Sequence, residues 1–172
     1  MNRILVAYAS KTGTAKRAAE MLARSLAPDC DLYDLRRGML RTLSGTETRI
    51  PFRSLDLTAY RAIVLGSAMY MGRPVKPFLR ILQESASSLT RQPLYLFTCG
   101  LAAAKEEQSY LWPLLPGEIA DHAKELHHFG GELCEKGGFF QRMMRKDYEK
   151  KGLALPKLDE TSVQQLSALL QS

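Results

Sequence analysis

Short, near-continuous apolar runs alternate with segments of helical period along the whole chain, and this alternation constrains the fold most. The first run, Ile4-Leu5-Val6-Ala7-Tyr8, has the pattern of a strand buried on both faces, as parallel sheets require. Ala15, Ala18, Ala19, Leu22 and Leu26 then recur at helical spacing, and the helix they predict ends before Pro28. Further strands are expected at 32–35, 62–66, 94–98 and near 125–129. Between them, Val75, Phe78, Leu79 and Leu82 mark a helix, with Pro74 and Pro77 confined to its opening turn. The segment 106–123 reads as helical at both ends, interrupted by Pro113 and Pro116. Thr161 and Gln164 are placed to cap a last helix with Val163, Leu166, Leu169 and Leu170 on its face. Residues 36–60 are of mixed polarity, with a short helix expected near 36–43. Strands alternating with helices predict βαβ units and an α/β fold. With no linker or repeat in 172 residues, one domain over 1–172 is expected.

Ligands bind outside the carboxyl ends of the strands in such sheets, so the loops there are the candidate site. The first reads Ser10-Lys11-Thr12-Gly13-Thr14-Ala15. Three hydroxyls and a glycine stand directly before a helix, where free N–H groups and the helix dipole favour a phosphate. A plain N-cap is the alternative, since Ser and Thr commonly precede helices. The Walker A pattern and the Gly-x-Gly-x-x-Gly dinucleotide fingerprint are both absent. Receiver-type acidic residues are missing too: Ala9-Ser10 and Gly66-Ser67 occupy their places. A phosphatase would need a cysteine in the first loop, and there is none.

Cys30, Cys99 and Cys134 form no Cys-x-x-Cys pair, which predicts free thiols and a reducing, cytoplasmic setting. The longest apolar stretches, around 62–72 and 92–104, are too short to span a bilayer. A net charge of +6 implies an anionic partner. Nucleic acid is not expected, because no aromatic stacking platform or nucleic-acid motif accompanies the charge. His122, His127 and His128 lack metal-ligand spacing, so no metal site is expected.

Ser10, Thr12, Gly13 and Thr14 resemble the first loop of the flavodoxin family, commonly Ser/Thr-x-Thr-Gly-Asn/Thr-Thr, with Ala15 in place of the last Thr. The resemblance implies a three-layer sandwich around a five-stranded parallel sheet in the order 2-1-3-4-5, with FMN as cofactor. It also implies that two further loops flank the isoalloxazine: Ser67, Ala68, Met69, Tyr70, Met71 and Gly72, and then Thr98, Cys99, Gly100 and Leu101. Tyr70 is then the expected stacking residue, Met69 or Met71 a softer contact, and Gly72 a point of close backbone approach. Cys99 is expected to pack beside the ring as a small residue.

Carriers of the flavodoxin family are typically acidic, whereas this chain is basic. Over most of its length it is more similar to the flavodoxin-like protoporphyrinogen oxidases, which deliver electrons to a membrane quinone. Three stretches carry that resemblance: Gly66-Ser67-Ala68-Met69-Tyr70-Met71-Gly72, Leu101-Ala102-Ala103-Ala104-Lys105, and a basic aromatic insertion around 135–156 that follows Gly131-Glu132-Leu133. In the insertion, Phe139, Phe140, Met143 and Met144 share a helical face, while Arg142, Arg145, Lys146, Lys150 and Lys151 supply charge. Such a helix suits an anionic membrane surface or the propionates of a porphyrinogen, and equally suits packing on its own domain. The resemblance implies an FMN oxidoreductase acting on a porphyrinogen with a quinone acceptor, peripheral at the inner face of the membrane. A non-enzymatic electron carrier and a fold that has lost its flavin are the competing readings.

Overall fold

The computed structural model describes residues 2–135 and 137–172. At its centre lies β1 (Ile4–Ala9), buried at every position. The chain leaves it through the first loop into α1 (Thr14–Leu26), which buries Ala15, Ala18, Ala19, Leu22 and Leu26 as its periodicity predicts. β2 (Cys30–Asp34) returns parallel to β1, with Ile4 opposite Cys30.

The expected helix near 36–43 is instead an antiparallel hairpin of β3 (Met39–Arg41) and β4 (Glu47–Arg49). Gly38 (φ 63°) and Gly45 (φ 80°) adopt left-handed conformations that end a helix and suit tight turns. The Tyr33 hydroxyl donates to the Ile50 carbonyl at 2.7 Å and ties the hairpin to the sheet edge.

β5 (Ala62–Tyr70) lies beside β1 and runs four residues beyond the predicted strand. Ser67 pairs with Ala9 on one side and Thr98 on the other, and Met69 and Tyr70 pair with the returning chain, so 67–70 is strand rather than loop. Met71 and Gly72 turn it into β6 (Arg73–Pro74), with φ of 50° and 75°. Positive φ at both central residues is the geometry of a two-residue hairpin, and glycine relieves half of its strain. There follow α2 (Lys76–Glu84), α3 (Ala86–Leu89), β7 (Leu94–Cys99), α4 (Ala104–Leu111), α5 (Gly117–His122) and β8 (Glu125–His128). The chain ends with α6 (Phe139–Lys150) and α7 (Glu160–Gln171). Asp159, not Thr161, caps α7: its carboxylate accepts the Ser162 N–H at 3.2 Å.

The sheet order is β4-β3-β2-β1-β5-β7-β8, with β6 paired to β5. Its five parallel strands follow the expected 2-1-3-4-5 order; β3, β4 and β6 are antiparallel additions. Connections leave β1 toward β2 on one side and β5 on the other, which makes the ends of β1 and β5 the topological switch point. Among the described residues, no helix is long and apolar enough to cross a membrane.

Candidate functional site

The loop after β1 is set by Gly13, which caps α1 in a left-handed conformation (φ 97°). Ser10 Oγ accepts the Gly13 N–H at 3.0 Å and closes the turn. The first N–H groups of α1 have no partner within the helix, and α1 begins just beyond the carboxyl end of β1. Tyr70 reaches this loop from the end of β5. Its hydroxyl accepts the N–H groups of Lys11 (3.2 Å) and Thr12 (3.1 Å) and lies 3.2 Å from Thr12 Oγ1. The Lys11 ammonium stands 5.3 Å from the Tyr70 ring centroid. The expected stacking residue thus spends its polar end on the phosphate loop, where an anionic oxygen would find the same donors.

A cleft of about 560 Å³ opens between the three loops. Thr12 and Thr14 wall it from the first loop; Ala68, Met69, Tyr70, Met71, Gly72 and Arg73 from the β5–β6 turn; Cys99, Gly100, Leu101 and Ala102 from the third. The far wall is Glu107 and Tyr110 of α4, Gly131, Glu132, and Phe140, Gln141 and Met144 of α6. Most predicted residues therefore converge. Ser10, Lys11, Gly13 and Ala15 of the first loop do not line the cleft, nor do Ser67 and Thr98. Ser67 is buried, its hydroxyl donating to Ala68 O and accepting the Val75 N–H, each at 2.9 Å. Thr98 Oγ1 lies 3.3 Å from His128 Nδ1. Gly72 sits under the Tyr110 ring, where a Cβ would meet Tyr110 Cδ2 at 3.3 Å. Cys99 is buried, and desolvation raises its thiol far above the ordinary range, which keeps it neutral and supports a packing role.

The segment after β8 is laid against both outer loops. Gly100 donates its N–H to Gly130 O at 3.0 Å, and a Cβ on Gly131 would meet Gly100 C and O at 2.5 Å. Glycine here permits backbone to touch backbone. Arg17 of α1 forms an ion pair with Glu132 and donates to Thr14 Oγ1 at 3.4 Å. The Glu132 carboxylate favours the charged guanidinium and raises its pKa. The Cys134 thiol reaches Thr12 O at 3.5 Å.

α6 turns a different face inward from the one its apolar residues predict. Gln141, Met144, Arg145 and Tyr148 are half-buried, whereas Phe139 is 75% exposed, with Phe140 and Met143 also exposed. Arg145 anchors the helix through Glu135 at 3.0 Å and Leu133 O at 3.5 Å. Lys136, part of the predicted insertion, lies outside the described residues. No cluster of potential metal ligands occurs among the described residues.

Sequence reasoning missed Glu107, Tyr110 and Glu132 as cleft residues, and Arg17 as the partner of Glu132. Glu107 carried a signal: it precedes buried Leu111 by one helical turn, which marks the inward face of α4.

Several solved structures share this fold. The Fusobacterium nucleatum flavodoxin bound to flavin mononucleotide matches with a TM-score of 0.55 at 11% identity, over 99% of this chain and 98% of that one. Oxidised flavodoxin 2 from Bacillus cereus matches at 0.52 and 16%, over 98% and 97%. The rubredoxin oxygen:oxidoreductase of Desulfovibrio gigas matches at 0.53 and 11%, over 99% of this chain and 36% of that one. No curated protein sequence is detectably similar. The flavodoxin-domain family model matches residues 5–151, spanning both β1 with its loop and α6. The chain therefore belongs to the flavodoxin-domain family.

Proposed function

We propose that the chain is an FMN-dependent oxidoreductase that oxidises a porphyrinogen with a quinone as acceptor. The donors on the first loop fit a phosphate: the Lys11 and Thr12 N–H groups and Thr12 Oγ1 already converge on one oxygen, that of Tyr70. The N-terminus of α1 adds its dipole to the same point. Ala15 brings no hydroxyl but retains a backbone N–H. The β5–β6 turn and residues 99–102 offer an apolar slot for a flat ring, and Tyr70 and Tyr110 are its aromatic neighbours. FMN bound there supplies reversible acceptance of hydride equivalents; the chain's part is binding, orientation and exclusion of water.

The observation that carries the enzymatic reading is the α6 wall. Phe140, Gln141 and Met144 line the cleft beside Phe139 and Met143, which stand in solvent, and Arg142 follows on the same turn. An apolar wall with adjacent guanidinium and ammonium groups suits a large hydrophobic substrate bearing carboxylates. The same exposed apolar and basic surface suits peripheral contact with an anionic membrane, from which a quinone would be drawn. Each two-hydrogen oxidation of the porphyrinogen would reduce one quinone to its quinol.

Anaerobic incubation of FMN-loaded protein with protoporphyrinogen IX and a menaquinone analogue tests this reading. Fluorescent porphyrin is expected, with turnover falling at least tenfold in a Phe139→Ser, Phe140→Ser, Met143→Ser variant that still binds FMN. Flavin binding without turnover would overturn the enzymatic reading and leave an electron carrier.

A further inference from the structure

The cleft lining includes one buried carboxylate, Glu107. Glu107 is 2% exposed on the inward face of α4. Gly100 makes room for it: a Cβ there would stand 1.6 Å from Glu107 Oε1, so the carboxylate lies directly beneath the third loop. Its Oε2 is 3.3 Å from His128 Nδ1, an ion pair only when that imidazole is protonated. Among the described residues that oxygen has no hydrogen-bond partner, although Glu107 forms part of the cleft lining. A buried carboxylate oxygen left unpaired is costly, and such a group marks a place where a ligand donor belongs.

We propose that Glu107 is the hydrogen-bond acceptor for the pyrimidine edge of the ring bound over Gly100. This rests on the FMN reading. A carboxylate offers only acceptors, and oxidised isoalloxazine has only one N–H, the imide N3–H, so chemistry alone selects the partner. The pairing fixes which ring edge points inward and leaves the other toward the cleft mouth. It also sets a buried negative charge beside the ring, which opposes the gain of electrons. Glu107 is thus a positioning residue that also lowers the flavin potential.

Titration of the protein with FMN and with 3-methyl-FMN, in which the N–H is blocked, tests the assignment. Wild type should bind 3-methyl-FMN at least tenfold more weakly than FMN, and Glu107→Met should bind the two about equally. Glu107→Gln keeps an acceptor and loses the charge, so it should retain part of that discrimination. Its two-electron midpoint potential should rise by about 30 mV for each tenfold shift in relative affinity for the two flavin redox states. Equal binding of the two flavins by wild type overturns the assignment, whether or not either variant folds. An undiminished preference for FMN in folded Glu107→Met overturns it as well. If wild type binds neither flavin, the FMN reading falls with it.

Discussion

Tyr70→Phe removes one oxygen and should make the protein bind FMN more tightly. The Tyr70 hydroxyl occupies the donors of Lys11 N, Thr12 N and Thr12 Oγ1 at 3.1–3.2 Å, and an incoming phosphate must displace it. A net hydrogen bond in a protein is worth about 0.5–1.5 kcal/mol. These contacts share one oxygen at a half-buried site, so together they are worth about 1 kcal/mol. Removing that competition should strengthen FMN binding about fivefold. Riboflavin has no phosphate and should gain little, so the ratio of the two affinities is the informative quantity. The aromatic face survives the substitution, which keeps any ring contact out of the comparison. Without flavin, the variant should lose about 1 kcal/mol, or about 2–4 °C in Tm. Flavin fluorescence quenching gives both affinities and calorimetry gives Tm. If Tyr70→Phe leaves FMN affinity unchanged, or alters both flavins equally, the hydroxyl is not the phosphate's rival.

Two predictions concern the frame around the site. Gly66→Ala would set a Cβ 2.0 Å from Phe97 Cζ, within the Phe97–Phe129 stack (centroids 4.8 Å apart); it should cost at least about 1–3 kcal/mol by chemical denaturation. Asp159→Ala removes the α7 cap and should cost about 1 kcal/mol at neutral pH. The hydrogen bonds from Ser162 hold the Asp159 carboxyl below its ordinary value of 3.8, so its contribution is complete above that pH and disappears as pH falls through the lowered value. Urea melts of wild type and variant should therefore differ at pH 7 and converge as pH falls through the lowered value; a constant gap would contradict the cap assignment.

The parallel sheet was legible because β1, β5 and β7 are buried on both faces and their runs carry almost no polar residues. α1 was legible because its alanines and leucines face one way. The β3–β4 hairpin was not, since its exposed residues have no alternation to follow and only Gly38 and Gly45 hint at turns. Ser67 to Tyr70 looked like a loop, yet the strand continues there because Ser67 and Ala68 pair with the ends of the flanking strands and Met69 and Tyr70 pair with β6. The cleft loops followed from strand ends. The walls did not: Glu107 fits only because Gly100 has no side chain, and Glu132 is held by Arg17, 115 residues away in sequence. For α6, helical periodicity grouped Phe139, Phe140, Met143 and Met144 but could not say that Gln141, Met144, Arg145 and Tyr148 form the half-buried side.

The central claim is that the loop of residues 10–15 holds the phosphate of a flavin mononucleotide. Parallel titrations of purified wild-type protein with FMN and riboflavin test it most directly. The account predicts one FMN per chain, bound at least about tenfold more tightly than riboflavin through charge-assisted hydrogen bonds to the phosphate. Equal affinity for the two flavins, or no binding of FMN, would contradict it.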